Sequence, residues 1–538
     1  MSKGNRTERS LDTTAQEYFT HLGSQLPFQC ASDEFYFLPR SEAASQNLNA
    51  LDDLSPEKIM DHLRYVEGLL RVIQRVQRDD LDQEIDRLLL TQSMKGFVRE
   101  YGEYRVWQRD PTLYLKILLF ATDHVMARVH SAADRGKEDL LALFDQIPPF
   151  LNRGLRNLIS PTEISVQVAL DMVRDAIAFY NRDVRSFISA QLDDERELLV
   201  KIGPIIAACE QFKAGLPLIP SLKSPAAGEE ALRRILSVSF SYHRSPDEVL
   251  EIAHDIYRLT QEKLRRLAGQ INGNKDWSLI LYKGVPSVSS PGELMELYER
   301  EIRGLRHFFC SQDIIPFPPE QGLTVLHTPL YLRSLRATAS YQAPLTGDMR
   351  GKGIFYITPG SEDLELISAH CPYLSAHETY PGHHVLDHLR IHHANPIRRQ
   401  IESPLFYEGW ACYAEQLLDE YGYVREPRTR LIQLKRQLWR AMRAILDVKI
   451  HTGRIDLMEA AREIESLGFS SARAQRQVRR FALTPGYQLC YAMGAHEILA
   501  LRTRFEPAMG PKAFHEVLLD GGQLPFHLVE KRLEAWRD

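Results

Sequence analysis

The chain has 538 residues, enough for on the order of one to four domains and a sizeable core. Hydrophobic residues make up 44% and charged residues 25%, ordinary for a globular protein. The net charge of -5 excludes the basic excess that a dedicated nucleic-acid binder normally carries, so no nucleic-acid partner is expected.

In chain order, the first residues, MSKGNRTERSLDTTAQEYF, are polar and lack the apolar stretch of a secretory signal. Residues 1–225 read as a mainly helical N-terminal lobe. LSPEKIMDHLRYVEGLLRVIQRV, DPTLYLKILLFATDHVMARVH and SPTEISVQVALDMVRDAIAFY each open with Ser or Asp near a proline and carry apolar residues three and four apart. AGLPLIPSLKSPAAGEE, 214–230, is rich in Pro and Gly and marks a bend before a catalytic lobe over 226–538. Helical periodicity resumes at SPDEVLEIAHDIYRLTQEKLRRLAGQI. IIPFPPEQGLTVLHTPLYL reads as loop, ATASYQAPLTGDMRGKGIFYITPG as two short strands around a Gly-rich turn, and the remainder as helix. The expected fold class is mainly α, two-lobed and zincin-like, with a small β-sheet beside the active-site helix. No run approaches about 18 apolar residues, so no membrane partner is expected. The six cysteines (Cys30, Cys209, Cys310, Cys371, Cys412 and Cys490) are dispersed without a C-x-x-C pair. With no signal seen, they give the expectation of free thiols in a cytoplasmic protein.

The chemically informative stretch is SAHETYPGHHVLDHL, 375–389. It begins like the zinc motif H-E-x-x-H, but Pro381 stands where the second histidine belongs. Residues four apart lie about 40° apart around a helix, so the two imidazoles of the ordinary motif reach one ion. Residues six apart point to different faces, and residues seven apart are about 10.5 Å apart along the axis. On an unbroken helix neither His383 nor His384 joins His377. Pro381 breaks helical hydrogen bonding and Gly382 permits unusual dihedrals, so a two-residue bulge is expected to restore the register. His383 is preferred to His384 because Gly-His then mirrors the end of an H-E-x-G-H motif. Two further HE dipeptides, His496-Glu497 and His515-Glu516, have no histidine nearby downstream and read as ordinary helix positions, as do His388, His392 and His393.

FYEGWACYAEQL, 406–417, supplies the carboxylate that a gluzincin-type site needs from a later helix. Glu408 is the candidate third ligand. Glu415, seven residues on and roughly on the same face, is the candidate to orient a ligand histidine.

HETYPGHH followed by EGWACYAE resembles the bacterial family catalogued as domain of unknown function 885, which is itself similar to the thermolysin-like clan of zinc peptidases. The resemblance is strongest between about 325 and 505. It implies a helical zincin-like fold and one zinc ion on His377, His383 and Glu408, with Glu378 as general base to a metal-activated water. TPGYQLCYAMG, 484–494, resembles the family's T-P-x-Q-x-x-Y-x-x-G segment and offers Tyr491, ahead of Tyr487, as a phenol facing the metal. RAMRAILDVKIH resembles its R-x-x-D-x-x-x-H helix; Arg443 there is a candidate for a substrate carboxylate, while Asp447 and His451 could simply pair with each other. ATASYQAP places Tyr341 before the small sheet, and the strand near GIFYITP could pair with an extended peptide. The expected activity is hydrolysis of short peptides. Hydrolysis of a non-peptide amide or ester, and a non-catalytic helical protein with a vestigial metal site, stand as alternatives. GDMRGKG lacks the Ser/Thr and the spacing of a phosphate-binding loop.

Overall fold

The computed structural model describes residues 10–537 except 77–79, 130–132, 193–194, 274, 284–287, 318–321, 330–338, 345–351 and 359–363. Several of its helices begin where a short polar side chain satisfies the first free amides. Ser245 accepts from the amide of Glu248 and Glu248 answers to the amide of Ser245, with Pro246 in the first turn; this helix, Pro246–Asn272, stops at Gly273 in the left-handed region (φ 76°). The other periodic stretches form helices over Pro56–Ile73, Pro111–Val129 and Glu163–Ala178, the last capped by Thr162 rather than Ser160. Residues 219–228 carry no helix. None of the described helices is long and apolar enough to cross a membrane.

One connected set of buried side chains runs from the N-terminal helices to the last one. Within it, Pro246–Asn272 packs along Pro427–His451, and Pro404–Glu420 packs along Cys490–Met509. The second contact is close because both helices present glycine. A Cβ on Gly409 would stand 2.5 Å from the Gly494 backbone, and one on Gly494 would stand 2.0 Å from the Leu405 carbonyl oxygen. The glycine of EGWACYAE thus fixes how near Tyr491 comes to Glu408.

The small sheet has three strands in the order β1 (Leu323–His327), β3 (Gly353–Ile357), β2 (Ala339–Gln342). β2 and β3 are antiparallel, pairing Tyr341 with Phe355. The Gly-rich turn between them lies largely outside the described residues, as does most of GDMRGKG. β1 corrects the loop expected at LTVLH. It runs parallel to β3, pairing Val325 with Phe355, and a parallel partner far along the chain gives no local hairpin signal. β3 is therefore paired on both sides, so GIFYI has no free edge for a peptide; the edge strand beside the site is β2.

Candidate metal centre

The break predicted at Pro381-Gly382 is a full interruption rather than a bulge. One helix, Cys371–Glu378, ends with the His-Glu pair and a second, His383–Ile391, begins with the His-His pair. Between them the Tyr380-Pro381 peptide is cis. Gly382 sits so tightly under the first helix that a Cβ would lie 1.9 Å from the His377 carbonyl oxygen. The Trp410 indole N–H donates to the Pro381 carbonyl at 2.9 Å, tying the break to the helix that carries Glu408.

This chain path brings His377, His383 and Glu408 together; all three are buried, and one ligand atom from each lies within 4.8 Å of the others. Glu408 Oε2 is 3.5 Å from His377 Nε2 and 3.6 Å from His383 Nε2. Two ligand atoms about 2 Å from one tetrahedral ion are separated by roughly 3.3 Å, so the spacing fits a zinc-sized cation. Glu408 Oε2 is also buried without a protein hydrogen bond, while Oε1 accepts from the Tyr487 hydroxyl at 2.8 Å. An orphaned carboxylate oxygen facing two imidazole nitrogens is the donor set a divalent ion satisfies.

The two imidazoles are held differently. His377 Nδ1 lies 3.0 Å from Glu415 Oε1 and 3.3 Å from an Arg440 nitrogen. A protonated Nδ1 donating to Glu415 leaves the Nε2 lone pair facing Glu408, and that tautomer suits a ligand. Glu415 is fully buried and takes paired hydrogen bonds from Arg436 and Arg440. Burial works to raise its carboxyl, but the two guanidinium groups outweigh it and hold Glu415 well below the usual range. His383 has no polar partner at Nδ1; its ring stacks on Tyr407 at 3.8 Å, and the Tyr407 hydroxyl donates to Asp387 at 3.0 Å. His384 turns away from the cluster. Its Nδ1 is 3.1 Å from the Tyr341 hydroxyl, and burial pushes its imidazole down to about 3.

Glu378 follows the first ligand, and its Oε2 accepts from the backbone N–H of Tyr341 at 2.8 Å, so edge strand β2 fixes its orientation. Burial raises its carboxyl above the ordinary value despite the neighbouring histidines. For Glu408 the balance is reversed: burial acts to raise it, but His377 and His383 hold it well below the usual range. For His377, burial alone would lower the imidazole, and its contacts with Cys412, Glu408 and Glu415 outweigh that and raise it.

Tyr491 lines the same cavity, its ring parallel to that of His377 at 6.4 Å, and Tyr487 is committed to Glu408. Arg443 lies with its guanidinium carbon 3.6 Å from the Tyr491 ring centre and donates twice to Gln488 Oε1. Asp447 and His451 are 3.7 Å apart, but Asp447 chiefly accepts the backbone N–H groups of Gly486 and Leu489, which fixes the loop carrying Tyr487. His515 is a core residue between Tyr413 and the Ile314 carbonyl, and Glu497 pairs with Arg244, so neither of the other HE dipeptides joins the site. The cavity has a volume of about 640 Å³ and is also lined by Tyr36, Thr112, Lys116 and Met172 from the N-terminal half.

Sequence reasoning missed three contributors. Arg436 and Arg440 are spaced four apart in an arginine-rich helix read as facing water, and only the position of Glu415 marks them out. Tyr407 stands directly before Glu408, with nothing in the local pattern to show that it stacks on His383.

The family model described as a bacterial protein of unknown function, DUF885, matches residues 41–533. A solved structure from Shewanella oneidensis, described as a putative lipoprotein of unknown function, aligns over 97% of this chain and 99% of its own at 18% identity, with a TM-score of 0.79. A second solved structure, described as the putative lipoprotein from Colwellia psychrerythraea, aligns over 98% of both chains at 17% identity, with a TM-score of 0.75. An M32 carboxypeptidase from Deinococcus radiodurans R1 aligns over 98% of both chains at 11% identity, with a TM-score of 0.45. No curated protein matches. The two lipoprotein descriptions overturn the cytoplasmic expectation. It leaned on dispersed cysteines and on the signal not seen; all six cysteines are free thiols in the structure, five of them buried.

Proposed function

The chain belongs to the bacterial DUF885 family, and from that premise we propose that it is a zinc-dependent peptidase of short peptides. The reading is carried by one observation: His377 Nε2, His383 Nε2 and Glu408 Oε2 converge, beside a Glu378 carboxylate oriented by the Tyr341 amide. Zinc held by these three residues supplies a Lewis acid that polarises a carbonyl and acidifies water. Glu378 takes the proton of the attacking water and passes it to the departing amine nitrogen. The Tyr491 hydroxyl, on the cavity wall, donates to the oxyanion that develops as the carbonyl becomes tetrahedral. Glu415, clamped by Arg436 and Arg440, keeps His377 in the tautomer whose Nε2 is free to bind. A cavity of about 640 Å³ admits a few residues of extended chain and excludes a folded domain.

The test is hydrolysis of a synthetic short-peptide pool by the zinc-loaded chain, read by mass spectrometry, beside Glu378→Gln. Cleavage by the wild type, reduced by about 10²-fold or more in the variant while zinc is retained, supports the reading. Full activity in the variant contradicts the role given to Glu378.

A further inference from the structure

The cavity wall formed by the helices Pro427–His451 and Ser471–Leu483 presents Lys435, Arg436, Arg440, Arg443, Arg473 and Arg480. Arg436 and Arg440 share the single carboxylate of Glu415. Lys435, Arg443 and Arg480 form no ion pair with any carboxylate among the described residues. Lys435 donates to the Tyr282 hydroxyl at 3.1 Å and faces the rings of Tyr282 and Phe469. Arg443 donates to the neutral Gln488 oxygen and lies over Tyr491. The other carboxylates along the cavity, Asp33, Glu34 and Glu402, do not reach these cations, and Glu402 pairs with Arg390 at 3.1 Å. Burial and the neighbouring Arg473 push the Lys435 ammonium down to about 8. Holding several partly buried cations on one wall is unfavourable unless an anion joins them.

The location specifies what that anion is. Tyr491 neighbours both Arg443 and the ligand His377, its ring 3.6 Å from the guanidinium carbon and 6.4 Å from the imidazole. Arg443 is therefore a short step from the point where a carbonyl would be attacked, and each extended residue of a bound peptide spans about 3.3–3.6 Å. Gln488 holds the guanidinium from one side, so its fork is oriented before a substrate arrives.

Resting on the peptidase reading, we infer that this wall recognises a carboxylate of the substrate one or two residues beyond the cleaved bond, with Arg443 touching it and Lys435 and Arg480 adding to the attracting field. The carboxylate is either the free C-terminus of the peptide or an acidic side chain near that end.

The zinc-loaded full chain is given a pool of tri- and tetrapeptides with free C-termini and the same pool as C-terminal amides, and consumption is followed by mass spectrometry. The free acids are expected to disappear at least about ten-fold faster. Arg443→Gln narrows that preference by lowering kcat/KM for the acids by a larger factor than for the amides, and Arg443→Lys restores part of it through charge without the fork. Rapid loss of only those amides with Asp or Glu after the cleaved bond assigns the carboxylate to a side chain and supports the inference equally. Equal consumption of both pools, with no bias toward acidic residues, overturns the inference and leaves the peptidase reading standing. Consumption of neither pool overturns the peptidase reading and this inference with it. If Arg443→Gln fails to fold, exposed Arg480→Gln serves instead: a few-fold loss confined to the acids supports the inference, and unchanged rates on both pools contradict it.

Discussion

The two ligand histidines occupy one cluster but are supported in opposite ways. His377 is backed by a buried charge network in which Nδ1 meets Glu415 and Glu415 meets two arginines. His383 is backed by an aromatic face, with no polar partner for its Nδ1. The first support fixes a tautomer and raises ligand basicity; the second fixes only the plane of the ring. One side of the site is therefore sensitive to charge and the other to shape, and substitutions that alter one at a time should separate them.

The largest effect is expected from Glu415→Ala, which leaves Arg436 and Arg440 buried without their carboxylate. A loss of about 3–5 kcal/mol in unfolding free energy should appear by denaturant titration. Glu415→Gln keeps the shape and removes the charge; competition with a chelator should show zinc affinity lowered about 10–100-fold. Gly382→Ala attacks the geometry both sides share. Its methyl meets the His377 carbonyl oxygen, so a destabilisation of about 1–3 kcal/mol or more, with weakened zinc binding, is expected in the same two assays. Tyr407→Phe tests the aromatic side: it keeps the stack and loses only the bond to Asp387, so stability should fall by about 1 kcal/mol with zinc affinity nearly unchanged. A fall in affinity as large as that of Glu415→Gln would erase the distinction between the two supports.

The smallest effect concerns Asp447, which burial raises to about 7 although it accepts backbone N–H groups. A carboxyl whose folded pKa lies above its unfolded value contributes stability that is complete below the unfolded value and is lost as pH rises through the folded one. Stability measured from about pH 4 to pH 8 should therefore decline in the wild type relative to Asp447→Asn, and a parallel pair of curves would contradict the shift.

Much of the site was legible because its key residues sit in two short motifs whose spacing has a direct meaning. Pro381 and Gly382 announced the interruption that lets His383 rejoin His377, and these two histidines do meet Glu408 of the second motif. The form of the interruption was not legible, because a bulge and a full break use the same two residues. The parallel strand β1 was hidden for a different reason: its partner is 30 residues away in sequence, as Leu323 pairs with Gly353, and the run LTVLH is too short to show periodicity. The burial of Arg436 and Arg440 was hidden because seven basic residues in one helix look alike until a neighbouring helix selects two of them. The walls given by Tyr36 and Lys116 come from segments whose local pattern encodes only packing.

The central claim is that His377, His383 and Glu408 hold one metal ion, and metal analysis tests it most directly. Purified wild type, His383→Ala and His384→Ala are loaded with zinc, dialysed and measured side by side. The account predicts about one zinc ion per chain in the wild type and in His384→Ala, and its loss in His383→Ala. Zinc retained in His383→Ala, or no zinc in the wild type after loading, would contradict it.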